Sequence, residues 1–69
     1  MSILKINGEI KEFDDELPAT LSQLLAHLKV DEATVVAEID GAIIERANFA
    51  ATKLSDGQKI ELIRFVGGG

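Results

Sequence analysis

The sequence contains no cysteine, no tryptophan and no tyrosine, with one histidine and only three phenylalanines. Without cysteine there is no disulfide framework, no thiolate metal site and no cysteine nucleophile. The one imidazole, His27, cannot hold a metal unaided. Ser2, Ser22 and Ser55 stand in no nucleophile-elbow pattern, so a self-contained catalytic triad lacks its parts. The chain is therefore expected not to be an enzyme on its own. Positive charge is scarce as well, with 7 Lys and Arg against 12 Asp and Glu for a net charge of −5 and a pI near 4.6. Neutralising phosphates needs clustered Lys and Arg, so this balance argues against nucleic acid and favours a protein or small-molecule partner. No apolar run is long enough to span a bilayer, and the polar stretch after Met1 has no signal-peptide pattern. No membrane association and a cytoplasmic location are the expectation.

What is present is a dense aliphatic pattern. Sixty-nine residues make one domain near the lower size limit for a core without disulfides or metal. With 46% apolar residues and few aromatics, that core has to be built from Leu, Ile, Val and Ala. Ser2 to Ile6 and Glu9 to Phe13 flank Asn7-Gly8, the strongest short hairpin signal, because both central residues of a type I′ turn need positive φ. Leu4 and Ile6 share a face and should point at the core. Ile10 and Phe13 differ in parity, so the second strand is expected to bulge or to end before Phe13. Asp14-Asp15-Glu16 lacks the spacing of a Ca²⁺ loop and reads as a solvated turn.

Thr20-Leu-Ser-Gln23 reads as a capping box, which starts a helix at Leu21. Leu21, Leu24, Leu25 and Leu28 then recur at helical spacing and form one apolar stripe, assigned to the core. His27 falls at the flank of this stripe near the helix end, where a cation suits the dipole. Val35 to Ile39, Asp40-Gly41 and Ala42 to Arg46 make a second hairpin, with Val35, Ala37 and Ile39 on one face. An irregular stretch carrying Phe49 and Leu54 leads through Ser55-Asp56-Gly57 to a last strand from Ile60 to Val66. One helix over one face of a mixed four- to five-stranded sheet gives an α+β roll over residues 1–66, with residues 67–69 as a flexible tail.

That last strand runs directly into Gly67-Gly68-Gly69. Glycine has no Cβ, so such a tail can lie extended in a channel too narrow for side chains, and a carboxylate at its tip can react. A frayed end or an engineered linker is the plainer reading. Against it, no Ser, charged spacer or affinity tag accompanies the glycines. Parity in the last strand places Ile60 and Leu62 beneath the helix and Ile63 and Phe65 on the opposite face. Ile63, Phe65 and Val66, beside the tail, are the expected docking residues.

These features together resemble the ubiquitin-like β-grasp proteins and, within them, the ThiS sulfur carriers of the ThiS/MoaD family. The residues that carry the likeness are Leu24-Leu25-x-x-Leu28, Val36 to Gly41, Arg46 with Phe49, Leu54-x-Asp56-Gly57, and Ile60 to Gly69. Asp40, Glu45, Phe49 and Gln58 depart from that family's usual Asn, Pro, Trp and Asp, at positions expected in turns and loops. The resemblance implies that a ThiF-like enzyme, using ATP and Mg²⁺, adenylates the carboxylate of Gly69. A persulfide donor then replaces AMP, and the thiocarboxylate passes sulfur to a ThiG-like thiazole synthase. In a chain without thiols, the terminal carboxylate is the natural place for covalent sulfur. The implied role is a protein co-substrate with no cofactor of its own, monomeric when free. The rival readings are a MoaD-like small subunit of molybdopterin synthase and a ubiquitin-like modifier conjugated to lysines.

Overall fold

A computed structural model describes residues 1–64. Five strands and one α-helix follow the chain as β1 (Ser2–Ile6), β2 (Glu9–Phe13), α1 (Leu21–His27), β3 (Val35–Ile39), β4 (Ala42–Ile44) and β5 (Lys59–Arg64). Both hairpins close on the expected turns. Asn7 and Gly8 have φ of 51° and 84°, and Asp40 and Gly41 have φ of 50° and 88°, the positive values that a type I′ turn needs. The strands lie in the order β2-β1-β5-β3-β4. β1 and β5 are parallel while every other neighbouring pair is antiparallel. This five-stranded mixed sheet with its one main helix is the β-grasp arrangement.

The core is aliphatic apart from one ring. Leu21, Leu24 and Leu25 of α1 bury against Leu4, Ile6, Val35, Ala37, Ile39 and Ile60 of the sheet. Leu28, the fourth member of the stripe, is half-buried against the same cluster. Phe49 is the exception and is 1% exposed. It belongs to a 3₁₀ helix, Arg46–Ala51, that sequence periodicity did not signal. Winding into that helix ends β4 at Ile44, so Glu45 and Arg46 are not strand residues as expected. Phe49 therefore lies in the core rather than in a surface loop. A second short 3₁₀ turn, Glu32–Thr34, starts at Asp31, whose carboxylate accepts from the Ala33 N–H at 2.9 Å.

Thr20 caps α1 as expected, its hydroxyl accepting from the Gln23 N–H at 3.2 Å. The Gln23 side chain reaches one residue further back than a capping box requires and accepts from the Ala19 N–H at 3.1 Å. The Leu21 N–H donates instead to the Thr52 carbonyl at 2.9 Å, which ties the helix start to the segment after Phe49. At the other end the Val30 N–H bonds the Leu25 carbonyl and the Lys29 N–H that of Ala26. These are the two bonds of a Schellman stop. The left-handed position it needs is filled by Lys29, at φ 60°. A side chain there costs energy that glycine avoids. Lys29→Gly is thus expected to stabilise the domain by about 1 kcal/mol, read as a higher urea midpoint; an unchanged or lower midpoint would show that the Lys29 side chain contributes more than its backbone costs.

The second strand corrects the sequence reading. β2 neither bulges nor stops early, because its register with β1 is continuous from Ile6↔Glu9 to Ser2↔Phe13. Phe13 faces the helix, its ring 5.9 Å from that of His27, and Ile10 lies on the other face, 55% exposed. Helix length explains this. Seven residues span only about 10 Å at 1.5 Å each, while five strands span roughly 19 Å. The helix covers the central strands and leaves β2 at a margin where Glu9 and Lys11, although on its side, stay exposed.

Candidate functional site: the last strand and the open face

β5 is the element that leads toward the glycines, and it sits in the middle of the sheet between β1 and β3. Its alternation matches the parity argument. Ile60 is fully buried and Leu62 packs against the core, whereas Ile63 is 52% exposed on the face away from the helix. Phe65, Val66, Gly67, Gly68 and Gly69 lie outside the described residues, and so does the expected division between domain and tail at residue 66.

Around Ile63 the open face has a distinct chemistry. Val36 of β3 stands directly opposite it and is 38% exposed, and Ile43 on β4 is 68% exposed. Glu38 and Glu61 are also directly opposed across β3 and β5, and Glu38 faces Ile43 on its other side. Like charges directly opposed on a sheet repel. The face therefore offers an apolar strip beside two carboxylates, which suits a partner with an apolar contact and a cationic side chain. Val36, Ile43, Glu38 and Glu61 were not singled out from the sequence. The signal was available, since they alternate with the buried residues of the same strands.

β5 is also held by polar side chains from both hairpin turns. At its start the Lys59 N–H donates to Asp40 Oδ1 at 3.0 Å, and the Asp40 N–H donates to the Lys59 carbonyl at 2.8 Å. Further along, the Leu62 N–H donates to Asn7 Oδ1 at 2.7 Å and Asn7 Nδ2 donates to the Leu62 carbonyl at 3.2 Å. Ahead of the strand, the Ser55 N–H donates to Gln58 Oε1 at 2.8 Å, and the Ile3 N–H to Asp56 Oδ1 at 2.7 Å. Asp40 and Gln58, two of the positions that depart from the family's usual residues, thus have local bonding roles.

The remaining polar features show no assembled chemistry. Asp14, Asp15 and Glu16 are exposed. Among the described residues, no three His, Asp or Glu side chains gather into a metal-binding group. Among the described residues, no helix is long and apolar enough to cross a membrane.

Comparison with known proteins agrees with this geometry. A thiazole synthase from Paramagnetospirillum magneticum is 36% identical over 66 residues, which are 96% of this chain and 20% of that protein. The chain thus spans only a fifth of that relative's length. The uncharacterized protein ycf40 of Porphyra purpurea is 33% identical over 66 residues, 96% of this chain and 90% of that one. Among solved structures, the crystal structure of the thiamine biosynthesis protein ThiS from Geobacter metallireducens superposes with a TM-score of 0.82 at 37% identity, covering 97% of this chain and 99% of that one. The solution structure of a thiamine biosynthesis protein from the same organism gives a TM-score of 0.78 at 37% identity, with 100% and 88% covered. A profile of the ThiS family matches residues 4–69, and because it takes in the end of β1, the Asn7-Gly8 turn, β5 and all three glycines in one span, the chain belongs to the ThiS family.

Proposed function

We propose that this chain is a sulfur carrier of thiamine biosynthesis, holding its sulfur as a thiocarboxylate on Gly69. The observation that carries the reading is the family match, which extends through Gly69. A carboxylate is a poor electrophile and must be activated before sulfur can be attached. A ThiF-like enzyme, with ATP and Mg²⁺, supplies the activation: a Gly69 carboxylate oxygen attacks the α-phosphorus, pyrophosphate leaves and an acyl-adenylate remains. The terminal sulfur of a persulfide attacks the acyl carbon and AMP departs. A thiol then provides the two electrons that split the S–S bond, leaving the thiocarboxylate. Gly67 and Gly68 pass through the partner's narrow channel, where a backbone without Cβ fits. Catalysis belongs to the partners, and the chain is their co-substrate.

Thiazole synthase is the acceptor in this scheme. The similarity of this chain to a segment of a thiazole synthase supports that choice, since joining two modules in one chain raises their effective concentration. Mass spectrometry of the intact protein from its native cells tests the whole reading. One oxygen exchanged for sulfur at the C-terminus is expected; lysine-linked conjugates in its place would establish a modifier.

The open face is the docking surface, with Ile63 as an anchor and Phe65 and Val66 continuing the set beyond the described residues. Ile63→Ala is expected to weaken binding to the adenylating enzyme about tenfold, the scale of an interface contact worth somewhat more than 1 kcal/mol. Its unfolding midpoint should stay near wild type. Leu62→Ala should do the reverse. Titration calorimetry and urea unfolding of both variants check the assignment, and an Ile63→Ala chain that binds normally would move the docking surface elsewhere.

A further inference from the structure

β1 ends at Ile6 because the chain turns there, but β5, parallel to it, continues to Arg64. Along the β1 edge of β5 the Asn7 N–H donates to the Ile60 carbonyl at 2.9 Å, and beyond that rung β1 has no more strand to offer. The Asn7 carboxamide takes over. It accepts from the Leu62 N–H and donates to the Leu62 carbonyl, the two bonds that a further stretch of neighbouring strand would make to that residue. A carboxamide presents an N–H donor and a carbonyl acceptor side by side in one plane, whereas a carboxylate only accepts. The turn alone does not require it, because glycine adopts positive φ at less cost than asparagine. On the other edge β3 pairs with β5 as far as Val35↔Arg64. The strand around Leu62 is thus held along both edges, by Asn7 on one and β3 on the other, seven residues before Gly69.

We propose that Asn7 is a positioning residue: by completing the rung on Leu62 it fixes the direction in which β5 leaves the sheet, and with it the presentation of Gly69 to the adenylating enzyme. This rests on the adenylation reading above. A strand paired along one edge can swing away from its open side, and small errors of placement at a reacting group are costly in rate. Docking through the Ile63 face is unaffected, so the loss falls on turnover and not on the carrier's KM.

Asn7→Gly keeps the turn and removes the carboxamide; Asn7→Asp keeps the acceptor for the Leu62 N–H and sets a second oxygen against the Leu62 carbonyl. Two measurements are made on each: hydrogen exchange of the Leu62 amide in the free protein, and kcat and carrier KM in ATP–pyrophosphate exchange with a ThiF-like enzyme. In Asn7→Gly the Leu62 amide is expected to exchange faster, with kcat about tenfold lower and KM near wild type; Asn7→Asp should fall between it and wild type in both exchange and kcat. An unchanged Leu62 exchange rate would show that the carboxamide does not hold the strand. Faster exchange with wild-type kcat would show that the grip does not aim the tail. Either result overturns the proposal. A wild-type chain that supports no pyrophosphate exchange at all would overturn the adenylation reading and this proposal with it.

Discussion

Gly68→Val is expected to lower adenylation of the chain by about 100-fold, the scale on which displacing a reacting group by roughly 1 Å acts, while leaving the unfolding midpoint where it was. The two halves of this expectation have separate causes. The buried core among the described residues runs from Leu4 to Ile60, so a methyl-bearing side chain at residue 68 removes nothing from it. In a channel shaped for bare backbone, the same side chain has no space. Appending one Ala after Gly69 separates the steric demand from the chemical one. It moves the carboxylate by one residue without touching Gly67 or Gly68, and it should be as damaging. ATP–pyrophosphate exchange with a ThiF-like enzyme measures both chains. Undiminished exchange in the pair would place the reactive group somewhere other than Gly69.

Phe49→Ala is expected to destabilise the domain by about 3–5 kcal/mol, as truncating a buried ring does. At roughly 0.05–0.15 kcal/mol per residue a chain of this length has only about 3–10 kcal/mol in total. The variant should therefore be largely unfolded, or close to it, at room temperature. The ring lies under α1, in the 3₁₀ helix whose following segment also receives the Leu21 N–H through Thr52. Removing it opens a cavity in the cluster that also holds Leu21, Leu24 and Leu25. Circular dichroism along a urea series gives the midpoint. A value within a few tenths of a molar of wild type would mean that Phe49 does not fill the core.

That residue also marks a limit of what the sequence discloses. Hairpins at Asn7-Gly8 and Asp40-Gly41 are legible because a type I′ turn makes a purely local demand on φ that few dipeptides meet. The helix is legible because its cap and leucine spacing are local too. Phe49 sits in a six-residue 3₁₀ helix, too short to impose a period, so its burial depends on what lies across the core and not on its neighbours in sequence. Ile10 misleads for a related reason. Its parity against Phe13 suggested a bulge or an early stop, yet the strand pairs without a break and the short helix leaves the inward positions Glu9 and Lys11 exposed. The bonds from Asn7 to Leu62 join residues 55 apart in sequence, and no local pattern announces them. The Ile63 face was legible from parity alone, whereas the opposed Glu38 and Glu61 required the register of β3 against β5.

The position of β5 between β1 and β3 makes it the keystone of the sheet. The hairpins β1-β2 and β3-β4 each close through a two-residue turn, yet they touch one another as strands only through β5. A growing chain can close each hairpin as it emerges, but it has no continuous sheet until its last strand arrives. Inserting that strand closes a loop of more than fifty residues between Ile6 and Ile60, which costs chain entropy before any burial offsets it. A ribosome must therefore release nearly the entire sequence before the domain can fold. A chain cut short before β5 would be left with two unsupported hairpins, which proteases can recognise, so only molecules long enough to include Arg64 acquire the complete sheet.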